Sequence, residues 1–339
     1  MKRMKSQVWE VAEAEPAIAP EIPIIDCHHH FWGDGHGGPA MFGALMPDIL
    51  LAEIAKSGHR VTATVFAECL LSYRCEGRQA LRCVGETEFV EAIATAFANA
   101  PDRTPKFAAG IVGAAELLLG DAVAPVLEAH IAASPTRFRG IRDWLSSHPD
   151  LPHDLGIPPG KSRDPRFRAG FAQLGRRGLS FDALCTHPQL DEIAELAGKF
   201  PDTSIILNHL GGYIGVGRFS ANPAESFAGW KQKIRELSCF DNVTIKLSGV
   251  GMAQNGFGWD AAAPPDSERL ATACRPFVLS AIEAFSPSRC MFASNFPVDG
   301  VSFGYGVLWN AFKRIVSEFS IAEQNDLFSG TASRTYRLT

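Results

Sequence analysis

The chain has little excess of either charge. Its 32 Lys and Arg against 37 Asp and Glu leave a formal net charge of −5, which provides no basic field to draw in nucleic acid or an anionic membrane. Long apolar runs are absent as well, and none approaches the roughly 20 residues that a membrane span needs. The start, Met1 to Lys5, is basic but leads into acidic and proline-containing residues instead of an apolar core, so no signal peptide is expected. The eight cysteines form no Cys-x-x-Cys pair, and Cys69, Cys185 and Cys290 fall in strand-like segments. That pattern suits reduced thiols in a cytoplasmic protein. No Gly-x-Gly-x-x-Gly follows the first strand-like segment, which removes the main argument for an open dinucleotide-binding sheet.

What is present is an ordinary globular composition, 46% hydrophobic and 20% charged over 339 residues, enough for a large core. Eight short apolar segments recur, at 22–32, 61–68, 107–115, 138–144, 179–185, 204–211, 242–249 and 290–297. Helical patterns follow them near 48–58, 86–99, 121–133, 166–177, 189–199, 223–238, 268–284 and 305–319. Strands that alternate with helices imply parallel βαβ units, and near-continuous apolar strands imply burial on both faces. Eight such units in this length predict a (β/α)₈ TIM barrel. Residues 1–20 read as an N-terminal arm, flexible or hugging the surface, and residues 21–339 as a single barrel domain. Three stretches are long enough to act as mouth loops: glycine-rich 33–47, proline-rich 145–165 with His148 and His153, and 250–267.

A barrel of this kind carries its chemistry at the C-terminal strand ends, and the polar residues here collect there. His28 and His30 end the first segment, Glu68 the second, and Arg142 with Asp143 the fourth. His187 follows the fifth, His209 ends the sixth, Lys246 and Ser248 lie on the seventh, and Asn295 ends the eighth. Alternation along a strand puts His28 and His30 on one face, with His29 and Cys27 opposite. Two imidazoles side by side suit a borderline metal such as zinc; the structural alternative is packing. His187 precedes Pro188, which favours an extended turn, and His209 stands before a Gly-Gly pair where backbone can approach a ligand. The fork of Arg142 suits a carboxylate or lactone oxygen, with a salt bridge to Asp143 or Glu68 as the alternative. Lys246 faces inward if Ile245 and Leu247 pack outward. It then binds substrate oxygen or pairs with a carboxylate, and Glu68 could be a ligand or proton carrier or a buried partner of Arg142. Trp32, Trp144 and Trp259 could wall a ring-shaped substrate or serve as core cover.

The motifs DCHHHFW, FRGIR, SFDALCTHPQL, LNHLGG and MFASNFPVD, one per strand and in this order, resemble the amidohydrolase-2 family from about Ile22 to the C-terminal GTASRTYRL. The family includes sugar lactonases and 2-pyrone-4,6-dicarboxylate lactonase. The resemblance implies a metal-dependent-hydrolase barrel with His28, His30, His187 and His209 as metal ligands, zinc first and manganese second. Some of the family's lactonases are thought to work without a metal, so that route stays open. Asn295 stands where the superfamily usually has an aspartate that takes a proton from the attacking water, and an amide has no basic site for that task. Asp299, four residues on, is the nearest acid that could replace it, or it caps the helix expected near Phe303.

The expected function is hydrolysis of a small cyclic ester. His187, His209, Arg142, Asn295 and Asp299 would carry the chemistry, and Arg142, Glu68, Lys246, Trp32 and Trp259 would bind substrate. A metal-dependent decarboxylase or hydratase of an aromatic or unsaturated acid is the second reading, and a non-catalytic binding protein the third. The expected partner is a small molecule, with neither nucleic acid nor membrane, in a homodimer by default.

Overall fold

Residues 15–33, 45–98, 105–151, 156–259 and 263–338 are described by a computed structural model. Eight strands form one sheet in sequential order, each strand parallel to the next. They are β1 (Ile24–His29), β2 (Val61–Ala67), β3 (Lys106–Ala114), β4 (Phe138–Trp144), β5 (Ser180–Leu184), β6 (Ile205–Leu207), β7 (Val243–Leu247) and β8 (Cys290–Phe292). The sheet closes where β1 meets the segment after β8: Asn295 N donates to His28 O at 2.8 Å and His30 N to Phe296 O at 2.8 Å. The fold is a (β/α)₈ barrel, as the alternating pattern predicts.

The outer ring comprises α1 (Pro47–Ser57), α2 (Val84–Phe97), α3 (Ala124–Ala133), α4 (Pro165–Gly175), α5 (Leu190–Lys199), α6 (Pro223–Ser238), α7 (Ser267–Phe285) and α8 (Tyr305–Ile315). Local chemistry sets several starts. Asp164 accepts from Arg166 N ahead of Pro165, Asn222 from Glu225 N ahead of Pro223, and Asp266 from Arg269 N. Two short helices, α9 (Ile321–Asn325) and α10 (Thr331–Tyr336), follow α8 and lie beyond the eight expected units.

The main core lies between strands and helices. A second, inner apolar layer fills the barrel, with Ile25, Cys27, Val65, Val112, Ile206 and Met291, and α10 contributes Ala332 and Tyr336 to it. Tyr336 therefore enters the barrel from its floor, and Arg139 Nε on β4 holds the Tyr336 carbonyl at 2.6 Å. Ahead of β1, residues 15–20 run along α8. Asn310 Oδ1 accepts from Ile18 N at 2.8 Å, Lys313 Nζ donates to Ala19 O at 2.7 Å, and Glu15 accepts from Ser267 N at 2.7 Å. The rest of the expected arm, residues 1–14, lies outside the described residues, as do residues 34–44 and His153 of the expected mouth loops.

Candidate active site

The β1–β2 pairing shifts register between Asp26 and His29, and such an irregularity re-aims side chains. Cys27 lies in the inner layer, its thiol donating to Phe292 O at 3.2 Å, while His28 meets residues of β4 and β7. Both thus point inside, which corrects the expectation that Cys27 faces away from His28. His29 turns outward as expected: its Nε2 lies 2.9 Å from Thr64 Oγ1 and its ring packs against Phe31 and Phe66.

His28, His30 and His209 gather at the barrel mouth. The ring centroids of His28 and His30 are 5.0 Å apart and those of His28 and His209 4.6 Å. His30 Nδ1 lies 2.8 Å from the Ala67 carbonyl. A carbonyl only accepts, so His30 carries its proton on Nδ1 and presents a lone pair at Nε2. Its ring stacks on Trp32 at 5.3 Å. His209 begins a tight turn with φ 52°, and its Nδ1 lies 3.0 Å from Ser248 Oγ. The ring fits only because position 249 is glycine: a Cβ there would stand 2.6 Å from the Cβ of His209. Burial holds all three imidazoles well below the ordinary histidine range, helped at His28 by Lys246 and at His30 and His209 by Arg142.

Two cations share this space, each with a carboxylate. Arg142 Nε donates to Glu68 Oε1 at 2.6 Å and its Nη2 to the Glu68 carbonyl, while Trp144 Nε1 donates to the same carboxylate oxygen. Lys246 Nζ lies 2.7 Å from Asp182 Oδ1, and neither side chain is exposed. Of the alternatives open for Arg142, Glu68 is the partner. Lys246 is inward, as Ile245 and Leu247 belong to the outer core, and it both pairs with a carboxylate and touches His28. Arg142 Nη1 stands 3.2 Å from His28 Nε2 and Lys246 Nζ 3.0 Å from His28 Nδ1. The charges of Arg142, Lys246, Glu68 and Asp182 cancel.

At the end of β8, Asn295 adopts φ 55°, a left-handed conformation that asparagine tolerates better than most residues. Its Nδ2 donates to Asp299 Oδ1 at 2.8 Å, and Asp299 Oδ2 accepts from Gly251 N at 3.1 Å. Asp299 is fully buried and burial pushes its carboxyl up to about 7. It stands behind Asn295 and fixes the amide, whose oxygen is left as an acceptor. It precedes α8 by several residues and does not cap it.

Other expected residues lie apart. His187 heads a short turn, its Nδ1 accepts from Ile214 N at 3.1 Å, and its ring packs on Tyr213 and Phe219. Burial brings it down to about 4, and the neutral ring keeps its proton on Nε2 as a donor. No ring contact joins it to the other three site histidines. Asp143 pairs with Lys161 at 2.6 Å and Trp259 stacks on Phe257 under Arg269, 5.3 Å away; neither meets the histidine cluster. Asp182 and Tyr336 were not singled out from the sequence. An aspartate in the middle of an apolar strand was a usable signal for the first.

Zinc bound by imidazole needs lone pairs at about 2.0–2.1 Å in a tetrahedral set. Here both ring nitrogens of His28 face cationic donors, His187 lies apart, and the strand-8 position offers an amide. Among the described residues, no three His, Cys, Asp or Glu side chains are grouped as a metal site. The donor set in this arrangement does not fit a divalent cation.

The defining pattern of the amidohydrolase family matches residues 25–338. An uncharacterized protein of Sinorhizobium fredii is 34% identical over 334 residues, which span 94% of this chain and 99% of that protein. L-fucono-1,5-lactonase of Burkholderia ambifaria is 29% identical, with 83% of each chain covered. In fold, the chain is similar to an amidohydrolase of Burkholderia multivorans, at 24% identity over 93% of this chain and 99% of that one. Its structure with bound HEPES gives a TM-score of 0.70 and its structure with bound zinc 0.69. The chain belongs to the amidohydrolase family, in the amidohydrolase-2 branch that its strand-end motifs resemble.

Proposed function

We propose that this protein hydrolyses a small, uncharged cyclic ester of the sugar-lactone class. The observation that supports the reading is the gathering of His28, His30, His209 and Arg142 at the C-terminal strand ends, with Asn295 bonded through its backbone to His28. Its similarity to L-fucono-1,5-lactonase over most of the chain supports the substrate class. The cancelling charges of the two buried ion pairs favour a neutral ring over an acid, because among the described residues at the histidine cluster both cations are already paired with carboxylates.

Water attacks the ring carbonyl carbon. The developing oxyanion lies against Arg142 Nη1 and His28, fixed donors in a site shielded from solvent. The Asn295 amide oxygen accepts a hydrogen bond from the attacking water and orients it. His30 Nε2, with its lone pair held free by the Ala67 carbonyl, takes the water's proton. That proton then goes to the ring oxygen as the carbon–oxygen bond breaks, giving a hydroxy acid. Glu68 and Asp299 are spent in other bonds and serve as positioning residues.

The test is a panel of five- and six-membered lactones followed by acid release in a weakly buffered indicator assay. Turnover of at least one sugar lactone, lost in Arg142→Ala, supports the reading. Absence of turnover across lactones and simple esters overturns it.

A further inference from the structure

The fully buried Asp182 is surrounded by donors from three directions. Tyr336 Oη, rising from the barrel floor, lies 2.9 Å from Oδ1 and 3.0 Å from Oδ2. Asn208 Nδ2 lies 3.0 Å and Lys246 Nζ 2.7 Å from Oδ1. A carboxylate only accepts, so all three donate to it. Lys246 is thereby pinned as an ammonium, with its Nζ 5.1 Å from the centre of the Tyr336 ring.

A pinned ammonium has donors only. Since Lys246 Nζ lies 3.0 Å from His28 Nδ1, Nδ1 satisfies it by accepting, and the ring proton of neutral His28 then sits on Nε2. Nε2 faces Arg142 Nη1 at 3.2 Å, and a guanidinium has no acceptor either. Two donors thus point into one space without an acceptor between them. The reverse tautomer would move this donor–donor contact against Lys246, which has no exposure, whereas Arg142 keeps 4%. An oxygen atom arriving from the mouth reaches the first arrangement and not the second.

We propose that Tyr336, Asp182 and Lys246 form a relay from the floor of the barrel that sets the tautomer of His28, so that His28 Nε2–H and Arg142 Nη1–H together receive a substrate oxygen. Naming that oxygen as a lactone carbonyl rests on the reading above; the tautomer does not. Tyr336, Asp182 and Lys246 are positioning residues that act through His28. The C-terminal helix α10 thus takes part in the site from the opposite end of the barrel.

The test is nitrogen NMR of the histidine rings in the full-length protein, with His28 assigned by the loss of its signals in His28→Gln. The wild-type protein is expected to show His28 protonated on Nε2 and bare on Nδ1; the opposite tautomer overturns the proposal without any variant. Tyr336→Phe keeps the ring and removes the hydroxyl. Its His28 signals should move towards a mixture of tautomers while those of His59 and His130, outside the barrel interior, stay in place. A His28 spectrum unchanged in Tyr336→Phe overturns the relay, including when the melting temperature falls. On any cyclic ester that is turned over, kcat should drop about tenfold at unchanged KM. If no ester is turned over, the hydrolase reading fails while the tautomer measurement still decides the relay.

Discussion

Asn295 gives an amide hydrogen to Asp299 at 2.8 Å, so the eighth strand ends on an amide that is bonded to a buried carboxyl four residues along. The carboxyl there touches Asn295 and the backbone of the β7 loop. In the proposed reaction the Asn295 amide oxygen has no basic site for a proton, which must go to another group.

Restoring the acid should therefore harm the protein. In Asn295→Asp, two carboxyls share a hydrogen-bond distance and cannot both ionise cheaply. Asp299 in the wild type is raised by burial to about 7 from its ordinary 3.8. Its folded pKa lies above the unfolded one, so its contribution to stability is complete below about pH 4 and is lost as pH rises through about 7. The variant should steepen that loss and extend it upward. Melting temperatures of the two proteins should differ little near pH 5 and by roughly 5 °C or more above about pH 8. Equal melting temperatures above pH 8 would refute the contact.

His30 and His29 are neighbours with separate tasks. His30→Ala should lower kcat by roughly a hundredfold or more, the scale of a lost proton acceptor, with the fold intact by circular dichroism. His29→Phe, set among Phe31, Phe66 and Thr64 on the outer face, should keep turnover within a few-fold. Comparable losses in both would contradict the inward and outward assignment.

Removing the charge of Glu68 strands Arg142. The guanidinium and carboxylate are 4% and 1% exposed, and breaking such a pair from one side costs about 3–5 kcal/mol. Glu68→Gln should move the urea midpoint down accordingly. A shift below about 1 kcal/mol would mean that water reaches the pair.

The periodic part of the fold was legible because it depends on local pattern. The bounds of α6, 223–238, follow from the sequence, and seven of the eight strands fall inside their expected segments, while β3 starts one residue early at Lys106. Expected strands 204–211 and 290–297 overran because His209 and Asn295 take left-handed backbone angles that end the ladders at Leu207 and Phe292. The site was legible one strand end at a time: His28, His30, His209, Arg142 and Lys246 do converge, and Asn295 is tied to His28 through its backbone N–H while its side chain goes to Asp299. His187 does not join them: Pro188 opens a turn that sends its ring to the Ile214 backbone. The bond from Tyr336 to Asp182 spans 154 positions, and no spacing rule reaches that far.

Chelation separates this site from a metal centre. With Arg142 and Lys246 against the central histidine, turnover should survive dialysis against a strong chelator and gain nothing from added zinc or manganese. Loss of activity on chelation, restored by zinc, would show that the side chains rearrange around a cation and would remove Arg142 from the oxyanion role.

The most direct test of the central claim is mass spectrometry of products formed in water enriched in heavy oxygen, across a panel of sugar lactones and unsaturated acids. Hydrolytic ring opening predicts a hydroxy acid that carries one solvent oxygen in its carboxyl group, formed by the wild type and not by Arg142→Ala. Release of carbon dioxide, or no product from any lactone, would contradict it.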